Sequence, residues 1–259
     1  MQSSASATPV FLQAGFRPFF LLAGLAAVVI MLRTLLVFSG VVASPAAGPV
    51  QWHGHELLFG MLGASMTGFL LTAVPNWTGT EPVRGRSLLF LAVAWVAGRL
   101  AMWTGSASWW VSAVDIVFLP AVAVVAFRPL VGRRQYRAWL PAAAFMLFAA
   151  ANVAWHFGEQ LQAVLLVDRV VGAAAMTVAL LIAIIGGRIT PAFTRNRLRA
   201  RGIEPLPREA DARDGAALSA SAAVLLAELI LPAAAAALSL VAALLHGARL
   251  HGWRGTAAL

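Results

Sequence analysis

The chain has 259 residues, 61% of them hydrophobic and only 11% charged, with a mean hydropathy of +0.83. A soluble domain carries roughly 25% charged residues, so 19 basic and 10 acidic side chains cannot cover a water-soluble globule of this size. The apolar content excludes a disordered chain, and the absence of Cys excludes disulfide scaffolds, thiolate metal sites and iron–sulfur clusters. The net charge is +9 and every basic residue is Arg. Basic loops are what membrane proteins keep beside anionic lipid on the cytoplasmic side, so membrane lipid, not nucleic acid, is the expected partner.

Taken in chain order, the polar opening MQSSASATPV lacks basic residues and does not read as a cleavable signal peptide. A helix crossing hydrocarbon needs about 20 apolar residues. Six spans are expected at 18–42, 54–74, 87–104, 109–127, 138–157 and 168–187. The apolar run 216–251 would be about 54 Å long as one helix, too much for a bilayer of about 30 Å. Pro232 divides it into spans at 216–232 and 234–251 joined by a tight hairpin. The expected fold class is thus an all-α polytopic transmembrane helix bundle of about eight spans. Its expected organisation is a six-span half over 1–187, a cytoplasmic Arg-rich linker over 188–215, and two further spans over 216–259.

The arginines alternate between loops. Arg17, the pair Arg84 and Arg86, the group Arg128 to Arg137, the run Arg188 to Arg213, and Arg249 with Arg254 fall on one side. The positive-inside rule puts that side, and both termini, in the cytoplasm. Arg33, Arg99 and Arg169 are the exceptions.

This orientation gives meaning to the five His residues. His53 and His55 lie where Gln51-Trp52-His53-Gly54-His55-Glu56 enters the second span from outside, and His156 lies at the outer end of the fifth. Three of them therefore converge on the non-cytoplasmic face, and ionisable groups at membrane depth tend to be functional. On an α-helix His53 and His55 are about 200° apart, so one ion cannot easily take both there. Asn152, His156 and Glu159 form a stripe at i, i+4, i+7. His53, His55 and His156 are the candidate metal ligands, with Glu56 and Asn152 placed to hold imidazole orientation. Trp52 and Trp155 would flank them equally well as an interfacial aromatic belt.

Gly60, Gly63, Ala64, Thr67 and Gly68 put small residues three and four apart in the second span, suited to close helix packing or to a flat macrocycle. Asp115 and Glu228 are intramembrane acids whose partners the sequence does not choose. Three motifs mark cytoplasmic helix ends: Gly15-Phe16-Arg17-Pro18, Pro75-Asn76-Trp77-Thr78-Gly79, and Gly187-Arg188 through Asn196. Arg17 and Arg188 are candidates for binding an anionic group such as a haem propionate or a lipid phosphate. A transporter or export channel without a redox centre would explain the intramembrane acids and small-residue helices as well.

GFRPFFLLAG, WHGHELLFG, TGFLLTAVPNWTG and GGRITPAFTRN, in that order, resemble the NnrS family over most of residues 11–200. The resemblance implies a bacterial inner-membrane protein containing haem and copper, linked to the nitric oxide response, nitrosative stress and denitrification. Nitric oxide is then an expected partner, whereas no redox partner or reaction is indicated. The family's WHxHE motif falls on Trp52, His53, His55 and Glu56. Family members run to about twelve spans, so a C-terminally truncated member is expected.

Overall fold

A computed structural model describes residues 8–131, 136–208 and 211–258. Among them every regular element is helical. Eight long helical segments follow one another: α1 (Phe16–Phe38), α2 (Pro49–Thr78), α3 (Arg86–Trp103), α4 (Trp109–Leu130), α5 (Tyr136–Gln160), α6 (Val164–Ala200), α7 (Ala212–Ile230) and α8 (Pro232–Gly252). All except α7 are long and apolar enough to cross a membrane. This chain is therefore a multi-pass membrane protein with an all-α architecture.

The expected seventh span, at 216–232, is the one that falls short. Helix α7 carries Arg213, Asp214 and Glu228 within its 19 residues, too many charges for hydrocarbon. Its start is a capping box, in which Asp211 and Asp214 each accept from the other's backbone N–H or its neighbour's. Pro232 divides the last apolar run as the sequence predicts. It sits at the first position of α8, where its missing N–H costs nothing.

The expected linker over 188–215 is helical at both ends, since α6 continues to Ala200 and α7 begins at Ala212. Pro191 does not stop α6, so the motif from Gly187 to Asn196 does not close a helix. Gly202, at φ +67°, supplies the left-handed turn that does. The second motif does close its helix: Gly79, at φ +64°, donates its N–H to the Pro75 carbonyl.

Two local irregularities shape the spans. Residues Glu56–Leu62 of α2 form a π-helical turn, which is wider than the α-helix around it. Helix α4 breaks at Val117 between Trp109–Ile116 and Phe118–Phe127. Pro120 has no N–H for the Ile116 carbonyl, so the hydrogen-bond ladder is interrupted there.

The chain divides into two compact units. The first comprises the described parts of Met1–Ala142 with Ala149–Val171, and the second those of Ala143–Phe148 with Gly172–Leu259. In the first unit the small residues of α2 serve close packing. A Cβ on Gly68 would stand 3.0 Å from the Phe20 ring, and one on Gly63 would stand 3.4 Å from Leu119. Neighbouring side chains thus fill the stripe that a macrocycle would have needed. Loops 39–48, 104–108 and 161–163 gather at one end of this unit, called the loop end below. Ala46 donates to the Gly105 carbonyl at 2.8 Å and ties two of these loops together. In the second unit α7 and α8 pack as a hairpin, with Ser221 Oγ 2.9 Å from His246 Nε2.

Candidate metal centre

Burying an ion costs several kcal/mol unless it is paired and hydrogen-bonded. The first unit nevertheless buries His55, Glu56, Asp115, Asn152 and His156, each no more than 2% exposed. They come from three helices and are joined by Arg99 from a fourth.

The π-turn at the entry of α2 brings the first two inward together. Consecutive residues of an α-helix point about 100° apart, yet both His55 and Glu56 are buried, at the junction with the wider turn. Helix α5 presents Asn152 and His156 one turn apart on one face. Asp115 comes from α4 just before its break.

The contacts form a closed network. His55 Nδ1 lies 3.1 Å from Glu56 Oε1, and His55 Nε2 lies 2.9 Å from Asn152 Oδ1 and 3.4 Å from Asp115 Oδ2. His156 Nε2 is 2.9 Å from the same Asp115 oxygen, to which Asn152 Nδ2 donates at 3.1 Å. Arg99 donates to both carboxylates, Glu56 and Asp115. Two glycines make room for it. A Cβ on Gly60 would meet the Arg99 guanidinium at 2.6 Å, and one on Gly98 would meet Asp115 Oδ1 at 2.9 Å. Trp155, with ring centroids 4.2 Å apart, and Phe59, at 5.1 Å, wall in the His55 ring.

The donor count leaves this network one positive group short. Glu56 and Asp115 bring two negative charges, and Arg99 answers one. Both neighbours of the His55 ring nitrogens are acceptors, while a neutral imidazole has a single N–H. A proton or a metal ion supplies what is missing. His55, Asp115 and His156 each offer a ligand atom within 4.8 Å of the others. Two imidazoles and a carboxylate suit iron, copper or zinc. A haem does not fit at this cluster. The cavity touching His156 measures about 20 Å³, far too little for a macrocycle.

The other residues singled out in the sequence lie apart. His53 is half-buried and turned away, with Nδ1 2.8 Å from the Thr34 hydroxyl, which itself donates to the Ile30 carbonyl. The metal set contains His55 and His156 without it. Arg17 binds its own N-terminal segment, donating to the Val10 carbonyl at 2.8 Å. Arg188 is an exposed residue of α6 in the second unit. Glu159 does not reach the network and lines cavities beside it. Sequence reasoning misses Arg99 and does not single out Asp115 as the third ligand. Depth in the membrane hints at both, since each lies in the same half of its span as the His residues.

At the loop end Arg33 lies between two indoles, 4.2 Å from the Trp52 ring and 4.8 Å from the Trp103 ring, and is 4% exposed. Arg33 Nη1 and Trp52 Nε1 both donate to the Met102 carbonyl, at 3.4 and 3.0 Å. This assembly fixes the entry of α2 close to the buried network.

No curated protein and no solved structure matches the chain. A family model described as NnrS protein matches residues 10–259.

Proposed function

The chain belongs to the NnrS family, and on that premise we propose that it is a metal-binding protein of the bacterial inner membrane acting in the nitric oxide response. Its centre is a copper or iron ion held by His55, Asp115 and His156. The observation that carries this reading is the buried set of three ligand atoms within 4.8 Å, in a network lacking one positive group. A bound copper or iron ion would supply a redox-active centre able to coordinate a small neutral ligand such as nitric oxide. Glu56 holds the His55 ring through Nδ1 and leaves Nε2 to the ion, Asn152 donates to Asp115, and Arg99 holds the other Asp115 oxygen. The arginine distribution supports a cytoplasmic start for α1, with the loop end of the first unit on the opposite face.

The test is metal analysis of the purified chain after loading with copper or iron, followed by titration with nitric oxide. His55→Ala and His156→Ala should each lose the ion and the optical change with nitric oxide, while His53→Ala keeps both. Undiminished metal in the first two variants would overturn the assignment.

A further inference from the structure

Two adjoining cavities open at the loop end of the first unit, and the smaller reaches His156. The outer one, about 350 Å³, is lined by Ala46, Gln51, Ala107 and Gln162 among others. Several of these residues are exposed, so it opens among the loops. The inner one, about 20 Å³, runs from Pro45, Gly105 and Ser106 at the loop end to Trp52, Trp155 and His156. Ala47 and Glu159 border both.

The inner cavity has room for one water, which needs about 10–15 Å³ by this kind of measure. Of its two indoles, Trp52 already donates to Met102, whereas Trp155 Nε1 has no hydrogen-bond partner among the described residues. Trp155 is 1% exposed. A buried N–H without an acceptor is destabilising, and a guest with a lone pair removes that penalty.

We propose that these chambers form an entry route that passes guests no larger than water or a neutral diatomic molecule, with the Trp155 indole N–H as the inner docking point and the Ala47–Glu159 boundary as the size filter. What the guest then meets at His156 rests on the proposed function; the route itself does not. The walls are rigid enough to sieve. Arg33 sits between Trp52 and Trp103, and the Ala46–Gly105 hydrogen bond pins the covering loops. An organic substrate can enter the outer chamber but cannot reach the inner one.

The experiment follows exchange of the indole N–H into deuterated water, using the full chain with 15N-labelled Trp in lipid nanodiscs. Trp155→Phe identifies the Trp155 signal. The internal control is Trp95, which donates to the Gly60 carbonyl at 3.0 Å and lines neither cavity. The Trp155 signal should exchange at least about tenfold faster than that of Trp95. Ala47→Leu should slow it by about as much and leave Trp95 unchanged. Glu159→Trp, which narrows the boundary from the helix side, is the second plug should Ala47→Leu perturb the loops. Trp155 as protected as Trp95 in the unsubstituted chain, or unslowed by both plugs, would overturn the proposal. Exchange is read without added metal, so absence of a bound ion would sink the metal reading and leave this result standing.

Discussion

The two units handle charge in opposite ways. In the first, charged and polar side chains converge from four helices within the spans, and the network still lacks a positive group. In the second, the main ion pair is complete. Arg249 Nε donates to Asp214 at 2.5 Å, Arg249 Nη1 donates to the Ala183 carbonyl at 2.9 Å, and the guanidinium lies 5.2 Å from the Trp253 ring centroid. Asp214 is in the first turn of α7 and Arg249 in the last turn of α8. Each complements its helix dipole. A balanced pair at helix ends is a staple, whereas an unbalanced knot at depth costs stability that a proton or a bound ion returns.

This contrast breaks most sharply at Asp115. Asp115→Ala leaves Arg99 and two imidazoles without their shared acceptor, and removing one member of a buried pair costs about 3–5 kcal/mol. Thermal unfolding in detergent should drop accordingly, and the bound ion should be lost. Asp115→Asn preserves volume and should recover part of the stability but none of the metal.

Next in size is the packing that seats the knot. Gly98→Leu drives a side chain into Asp115, and overpacking of this kind costs about 1–3 kcal/mol. Gly24, where an added Cβ would meet nothing within 4 Å, should tolerate the same change. Equal losses at the two positions would remove the steric argument.

Removing Asn152 or Glu56 tests orientation more gently. Asn152→Ala should lower metal affinity about 10–100-fold without abolishing binding, as loss of a supporting hydrogen bond does elsewhere. Isothermal titration with copper reads this directly.

The smallest effect belongs to the staple. Burial alone would raise the Asp214 carboxyl, but the Arg249 hydrogen bond and charge outweigh it and hold it below the ordinary Asp range. Its contribution is therefore present above the unfolded pKa of about 3.9 and fades as the pH falls through the lowered folded value. Asp214→Asn should cost about 1 kcal/mol at neutral pH and nothing once the wild-type carboxyl is protonated. Melting curves across acidic pH will show the two proteins converge, and metal content should not change.

Much of this contrast is legible in the sequence. Hydropathy gives the helices, Pro232 gives the hairpin, and the alternation of arginines puts His55 and His156 at one depth. Depth is one coordinate; the angle around each helix is another, and the sequence conceals it where the helix is irregular. Regular spacing separates His53 from His55 but does not say that Glu56 turns inward beside His55, because the π-turn at Glu56–Leu62 begins between them. Arg99 is hidden for a different reason. An arginine near a span end is usually a snorkelling residue, and the missing side chain of Gly60 leaves the room for this one to fold back onto the carboxylates.

That π-turn also has a genetic consequence. It works as a phase shifter between two halves of α2, one presenting His55 and Glu56 and the other presenting Gly63 and Gly68 to their neighbours. Deleting a single residue from 56–62 would restore an ordinary helical repeat and remove the wide turn at which Glu56 joins His55 on the buried side. Consecutive residues would then point about 100° apart and the pair would no longer face inward together. Single-residue deletions should therefore be far more damaging in this segment than in loop 39–48, and substitutions that keep the count should be the tolerated changes.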